Sequence, residues 1–255
     1  HTTDTRISRQ NSKFWVRTIS EGFDRVYCRS RSIQRQCVEL GYKNVSEFII
    51  SSGVPNSEVV PTRQLTALKA RKIELLYVGK LIKRKHAEYV VEALNKLKDE
   101  LDFNFNIVGE GPMSSTLRQM TEKYGVSDRI HFIGSVSRIV VYSYMQNADI
   151  FIMPSIEETL GLVYLEAMMH GCITVGTENE GIDGVIVDGK NGFLVKPNSE
   201  ESVLMVLKRI VQLNDQQINS VSTRGIETAK YYNEKDMSLR YLEEMKKVVG
   251  DDDHK

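Results

Sequence analysis

Along most of the chain, short continuous apolar runs alternate with longer stretches in which apolar residues return every three or four positions. The runs "IELLYVG" (73–79), "FNFNIVG" (103–109), "RIHFIG" (129–134), "DIFIMPS" (149–155), "CITVG" (172–176) and "NGFLV" (191–195) are of the first kind and predict strands. Helical spacing falls between them, over 85–99, 112–125 and "SRIVVYSYMQN", then in "SIEETLGLVYLEAMMHGC" (155–172) and after residue 199. Earlier, "FDRVYCRS" (23–30) and a run near "VSEFII" predict two more strands. They flank a helix in "SIQRQCVELGY" that Gly41 stops. Strand and helix alternate, and the strands read as apolar on both faces. That pattern predicts an α/β fold, a doubly wound parallel sheet covered by helices on both sides. Ligands of such sheets bind beyond the carboxyl ends of the strands.

The stretch "SSGVPNSEVVPTRQL" (51–65) gathers Gly, Ser and two prolines and is expected to be a domain boundary. The expected organisation is therefore a partial first unit over 1–60, the main domain over 61–232, a helix over 233–250 and a tail over 251–255. In the helix, Met237, Leu239, Leu242, Met245 and Val249 form an apolar stripe. The mixed charge of its polar face favours packing over membrane attachment, with peripheral attachment as the alternative. The tail "GDDDHK" reads as solvated, of cloning origin in one reading.

Charge and composition narrow the field. The 255 residues carry a formal net charge of zero, so no global field invites nucleic acid. Three cysteines, Cys28, Cys37 and Cys172, lack metal or redox spacing and are too few for a disulfide framework, so a reducing cytoplasm is expected. No apolar run approaches the roughly 20 residues of a membrane span. No signal-peptide pattern opens the chain, and His1 in place of Met is what a fragment would show.

Four elements carry candidate chemistry. The first is "SIEETLGLVYLEAMMHGC", where a strand ends near Ser155 and a helix is expected to start near Leu160–Gly161. The first turn of a helix leaves amide N–H groups unpaired at the positive end of its dipole, a natural place for a phosphate. Glu158 precedes that turn and Glu166 follows eight residues later, roughly 12 Å along a helix. The pair could grip hydroxyl groups on both sides of a diphosphate. Each acid also has a structural explanation: Glu158 as partner of the dipole, Glu166 as a partly buried acid held by a neighbouring amide. The second element, "VGKLIKRKH" (78–86), supplies cations: Lys80 directly after the strand-end Gly79, and Lys85 at the opening of the next helix. Lys83 and Arg84 are expected to be solvated. The third, "VGEGPMSSTL" (108–117), contains Gly109 and Gly111. It lacks the last glycine of a dinucleotide fingerprint and has Pro112 at the helix start, so a plain turn and a nucleotide-facing loop both stay open. In the fourth, "NEGIDGVIVDGKNGFLV" (179–195), the amides of Glu180, Gly181 and Ile182 follow a strand end and are expected to face the same ligand.

In this order, the elements resemble the carboxy-terminal donor-binding domain of GT-B retaining glycosyltransferases of family 4 (glycosyl transferases group 1), over about residues 24–249. "EETLGLVYLEAMMHGCITV" is similar to the family's E-x(7)-E element, "VGKLIKRK" to its G-R-L…K segment, and "VGEGPMSSTLRQMTEKYGVSDRIHFIGSV" to its G-x-G-P…F-x-G segment. "DRVYCRSRSIQRQCVELGY…FIISSGV" resembles the last strand–helix–strand of the amino-terminal domain. The resemblance implies a Rossmann-like carboxy-terminal half of a GT-B fold plus a remnant of the amino-terminal, acceptor-binding domain. It implies that Glu158 meets the donor sugar, Glu166 the ribose, and the amides at Leu160, Gly161 and Leu162 the diphosphate, with Lys80 and Lys85. It further implies a nucleotide-diphosphate sugar as substrate, no tightly bound cofactor, no metal, and retention of configuration without a protein nucleophile. A glycan or lipid-linked acceptor would sit on the amino-terminal domain, in polysaccharide or cell-surface glycan synthesis on the cytoplasmic side of the membrane. Departures are Lys80 for the usual arginine, His86 for a glycine, Leu160 for phenylalanine, and Gly181-Ile182-Asp183-Gly184 without the usual glutamate. A sugar-nucleotide epimerase of the same architecture and a nucleotide-binding module without catalysis are the rival readings.

Overall fold

The computed structural model describes residues 21–55 and 64–252. The first twenty residues, most of the expected boundary (56–63) and residues 253–255 lie outside them. A small unit comes first: β1 (Val26–Cys28), α1 (Arg31–Leu40) and β2 (Val45–Ile49), the two strands parallel. Ser30 caps α1, and Gly41, at φ +88°, ends it where the sequence predicts. The main sheet follows, with β3 (Ile73–Val78), α2 (Ala87–Leu97), β4 (Phe103–Val108), α3 (Ser114–Tyr124), β5 (Ile130–Gly134), α4 (Arg138–Asn147), β6 (Ile150–Ile152), α5 (Leu162–Met169), β7 (Ile173–Thr177), β8 (Phe193–Val195), α6 (Glu200–Val211) and α7 (Asp215–Tyr231). A last helix, α8 (Glu234–Asp252), closes the described chain.

The six main strands are all parallel, in the order β5-β4-β3-β6-β7-β8. The chain winds outward from β3 through β4 to β5, returns to β6 beside β3, and winds outward the other way. Helix α2 contacts α3 and α6, and α5 contacts α4 and α7. Right-handed crossovers running in opposite directions put the two groups on opposite faces. The order reverses between β3 and β6, which makes that gap the switch point where ligands of such folds bind.

The core explains the strand pattern. Leu76, Tyr77, Phe103, Phe105, Ile107, Phe151, Ile152, Ile173 and Val175 are essentially inaccessible. β6 and β7 are buried at every position, as central parallel strands require. β4 departs from the expectation of two apolar faces: Asn104 and Asn106 alternate with its buried residues, and Asn104 donates to Glu74 Oε1 at 2.7 Å. Two boundaries also need correction. Lys85 does not open a helix, because residues 83–85 form a 3₁₀ turn, His86 takes a left-handed conformation, and α2 begins at Ala87. Pro112 lies in a turn, and α3 begins two residues later.

Asp149, entirely buried, sits at the start of β6. Its carboxylate takes a two-pronged bond from Arg71, 2.7 Å on each side, and a third from the Glu74 amide at 2.9 Å. Its backbone bridges both neighbours, Asp149 N to Glu74 O at 2.7 Å and Ile173 N to Asp149 O at 2.8 Å. This one residue sets β6 between β3 and β7.

Helix α8 packs back on the small unit, where Glu244 meets Arg25 at 3.7 Å and the Tyr27 hydroxyl at 3.5 Å. Among the described residues no helix is long and apolar enough to cross a membrane.

Removing one partner of a buried ion pair strands the other charge, at a cost of about 3–5 kcal/mol. Arg71→Met is expected to lower unfolding stability by that order in a denaturant titration. Asp149→Asn, which keeps an acceptor for the Glu74 amide, is expected to lose less. Equal, sub-kcal losses in both would show that the pair does not hold the register.

Candidate functional site

The site is assembled by the register of β3 and β6. Leu75 lies opposite Ile150 and Leu76 opposite Phe151, so the two strands end side by side. A Cβ added at Gly79 would stand 3.3 Å from Met153 Sδ. Beyond those ends run two loops, 79–86 and 153–161, and they meet. Lys85 Nζ donates to Glu158 Oε1 at 2.7 Å and lies 3.5 Å from Met153 Sδ. Ser155 donates its hydroxyl to the same Glu158 oxygen at 2.8 Å. Glu158 and Lys85 are therefore a half-buried ion pair at the switch point.

Arg84, expected to be solvated, reaches across to the second loop. Its guanidinium donates to the Ile156 and Glu157 carbonyls, each at 3.2 Å, and stands 3.5 Å from Glu158 Oε1. Its own carbonyl accepts from the Ile156 amide at 2.8 Å. Lys80 behaves differently: it is exposed and makes no ion pair among the described residues, while its carbonyl accepts from the buried Tyr77 hydroxyl at 3.1 Å. Burial pushes the Tyr77 and Tyr164 phenols up, with the Glu158 charge adding to the effect, so both stay protonated donors.

The loop then turns into α5. Gly161 caps it at φ +77°, and a Cβ there would lie 2.5 Å from the Tyr164 ring. Tyr164 in turn donates to Met153 O at 2.7 Å, fastening the first turn of α5 to the end of β6. Leu160 is buried, and the N–H groups of Leu160, Gly161 and Leu162 find no acceptor among the described residues. Three open amides thus sit at the positive end of a helix, and Lys85 meets the loop that leads into it.

Glu166 stands on α5, away from the Lys85–Glu158 pair. Arg138, the first residue of α4, binds its Oε1, and the Tyr142 hydroxyl lies 3.3 Å from the same oxygen. A helix acid among apolar neighbours is thereby paired, and its carboxylate is oriented from one side. Gly79 and Gly109 spend their amides within the fold, on Val108 O at 2.9 Å and Gly134 O at 2.8 Å. Side chains at Gly109 or Gly111 would run into the Gly79 and Leu81 carbonyls, at 2.0 and 2.4 Å. These glycines shape a wall, and next to it lies a cavity of about 490 Å³ lined by Leu81, Glu110, Gly111, Ser114, Arg118 and Phe132. The Arg118 guanidinium covers the Phe132 ring at 4.4 Å.

Glu180 is the acid that sequence reasoning passed over in favour of its amide. Its Oε2 accepts from the Glu158 amide at 3.0 Å and so fixes the turn that carries Glu158. Burial pushes its carboxyl above the ordinary range; the amide bonds from Glu158 and Glu157 pull it back in part, and the charges of the same two acids push it further up. Arg138, Tyr142 and Ser155 were likewise not singled out. Each meets its acid from another element or through a turn, and nothing in the local pattern marks such a meeting. Among the described residues no group of three or more His, Cys, Asp or Glu side chains is placed to hold a metal ion.

The chain is similar to known glycosyltransferases in sequence. The lipopolysaccharide core biosynthesis glycosyltransferase LpsE of Rhizobium meliloti is 26% identical over 205 residues, 80% of this chain and 58% of its own. The N-acetyl-alpha-D-glucosaminyl L-malate synthase of Bacillus anthracis is 33% identical over 120 residues, 47% of this chain and 31% of its own. The chain spans about half the length of the curated relatives it matches. In fold it is similar to HepE of Anabaena, solved in complex with UDP, with a TM-score of 0.77 at 18% identity over 95% of this chain and 69% of HepE. The family model described as glycosyl transferases group 1 matches residues 62–226. A match over more than half of the chain, on a sheet whose switch point carries these residues, settles its kinship: the chain belongs to the group 1 glycosyl transferases.

Proposed function

We propose that the chain supplies the donor-binding half of a retaining glycosyltransferase that uses a nucleoside diphosphate sugar. The observation that carries this reading is the open first turn of α5, Leu160 to Leu162, at the switch point, with Lys85 bonded to the loop that leads into it. Amides and lysines together bind a diphosphate without a metal, because both supply positive potential where charge grows on the leaving group. Glu158 accepts hydroxyl protons of the sugar and Glu166 those of the ribose. The cavity beside Gly111, Arg118 and Phe132 takes the base. HepE, of the same fold, was solved with UDP, which supports a uridine nucleotide.

In the reaction, the bond between the anomeric carbon and the diphosphate oxygen breaks, and its electron pair stays on the diphosphate. The acceptor oxygen bonds to the carbon on the same face and passes its proton to the departing phosphate oxygen, so configuration is retained. Lys80, Lys85 and the α5 amides hold the charge that accumulates. The acceptor, a glycan or a lipid-linked sugar, is oriented by an amino-terminal domain of which residues up to about 60 are the last part. The name of LpsE, a lipopolysaccharide core biosynthesis glycosyltransferase, supports a place in cell-surface polysaccharide synthesis.

Calorimetric titration with UDP, GDP, ADP and their sugar esters tests the reading; no binding at millimolar concentration by any of them would end it. Within the panel, Glu166→Ala is expected to weaken the bare diphosphate, and Glu158→Ala mainly the increment added by the sugar. Each loss is about 1.5–3 kcal/mol, the worth of a charged acceptor to hydroxyls. Equal losses on both ligands would contradict the division of roles.

Glu180 gives a pH signature. A carboxyl whose folded pKa lies above the reference 4.5 binds its proton more readily in the folded state. Stability therefore falls as pH rises from 4.5 through the raised value and stays reduced above it. Glu180→Gln keeps an acceptor for the Glu158 amide and removes the titration. It is expected to melt higher than the parent near pH 7 and to match it near pH 4, by thermal scans at both; a variant that melts lower near pH 7 would show that the charge itself holds the turn.

A further inference from the structure

A second polar cleft lies beside the donor turn, on the side of the small β1–α1–β2 unit. It has a volume of about 270 Å³, small against the roughly 300–1,000 Å³ of sites for whole ligands, so it suits a group and not a complete nucleotide sugar. Leu160 and Gly181 form its wall toward the donor turn. Arg29, Arg31 and Arg240 reach it from β1, α1 and α8.

The three guanidinium groups are held by neutral partners only. Arg29 donates to the Ser52 hydroxyl, Arg31 to Gln34 Oε1 at 3.2 Å and Glu47 O at 3.3 Å, and Arg240 lies 3.5 Å over the Tyr231 ring. None makes an ion pair among the described residues. Two acids also line the cleft. Asp183 is engaged by Arg35 at 3.6 Å and by the Asn179 amide at 2.6 Å, and Glu47 is exposed. The first turn of α1 contains no acid; Ser30 takes the Ile33 amide there, and Ser30 and Arg31 both line the cleft. Independently, Ser51, nine-tenths buried in the lining, has a hydroxyl with no hydrogen-bond partner among the described residues. A buried hydroxyl left without a partner in a cleft lined by three unpaired arginines points to a ligand that accepts hydrogen bonds.

We infer that this cleft binds a phosphate group of the acceptor substrate, through Arg31, Arg240, the Ser51 hydroxyl and the start of α1. Arginine forks and helix-start amides suit a tetrahedral oxyanion, and the ordering of the guanidinium groups by neutral neighbours leaves their charge for the ligand. The word acceptor rests on the function proposed above; the anion site itself does not. The phosphate belongs to a soluble phosphorylated sugar or to a lipid headgroup.

Nitrogen-15 spectra of the protein titrated with inorganic phosphate and with glycerol phosphate test the site, with glycerol as the neutral control. The amides of Arg31, Ser32 and Ser51 are expected to shift with phosphate and not with glycerol. In the Arg31→Gln/Arg240→Gln variant the apparent affinity at these amides is expected to fall at least tenfold. A UDP titration followed at 158–162 is expected to be unchanged in that variant, which shows that it folds. Phosphate shifts confined to 158–162, or shifts at α1 that survive the double substitution, would overturn the site. Failure of UDP to shift 158–162 in the parent would strike the donor reading and leave the phosphate result standing. Sedimentation with phosphatidylglycerol vesicles separates the sources: arginine-dependent co-sedimentation identifies a lipid headgroup, and its absence beside binding of glycerol phosphate identifies a soluble one.

Discussion

The buried carboxylate of Asp149 is the contact on which the functional end of the molecule depends. An ionised acid with no exposure is tolerable only when its lone pairs are filled, and here Arg71 and the Glu74 amide fill them. The consequence is geometric. Fixing Asp149 against Glu74 fixes the ends of both strands, three residues on for β6 and four for β3. Loops leaving those ends then have one arrangement in which Lys85 finds Glu158. The two groups lie 73 positions apart in sequence, and no local preference could bring them together.

Around that pair, charge of both signs is concentrated at one edge of the sheet. Lys80, Arg84 and Lys85 come from the loop after β3; Glu157, Glu158 and Glu180 come from the loops after β6 and β7. Such a mixture suits a ligand with both negative groups and hydroxyls, because each sign has its own partner. A purely basic edge would hold phosphate and ignore sugar. The α5 start adds positive potential that cannot titrate, so this part of the field does not depend on the ionisation of any side chain.

The sheet and its helices were legible in the sequence because period and length speak locally, and each main strand lies where its apolar run predicts. So were Lys80, Lys85, Glu158 and Glu166 as candidates, through their places at strand ends and around a helix start. Their partners were not. Arg138 reaches Glu166 across 28 residues, Arg84 reaches Glu158 across 74, and Glu180 accepts from the Glu158 amide across 22. Each of these contacts is a product of strand order, which composition and spacing do not encode. His86 shows a different limit. The sequence marks it as a departure from glycine, yet its backbone keeps a left-handed conformation at φ +48°. The ring stacks on Tyr89 at 4.4 Å, and Nδ1 lies 3.2 Å from Glu88 Oε1. Histidine is one of the residues that enter this region more readily, so side-chain contacts can offset a modest backbone cost.

The small unit and the large sheet are joined at two chain crossings that are bonded to each other. Val54 N donates to Tyr232 O at 2.8 Å and Glu234 N to Val54 O at 2.9 Å, which ties the strand leaving β2 to the turn between α7 and α8. Gly53 lies so close to that turn that a Cβ would meet Glu234 N at 2.3 Å. A rotation of one part against the other must therefore turn about this tie. The arginine cleft opens next to it, with Arg29 and Arg31 on one side and Leu160 and Gly181 on the other. Points close to a pivot move least. The spacing between the α1 start and the turn at 160–162 is accordingly the one that such a rotation would change least, because both line the cleft beside the tie.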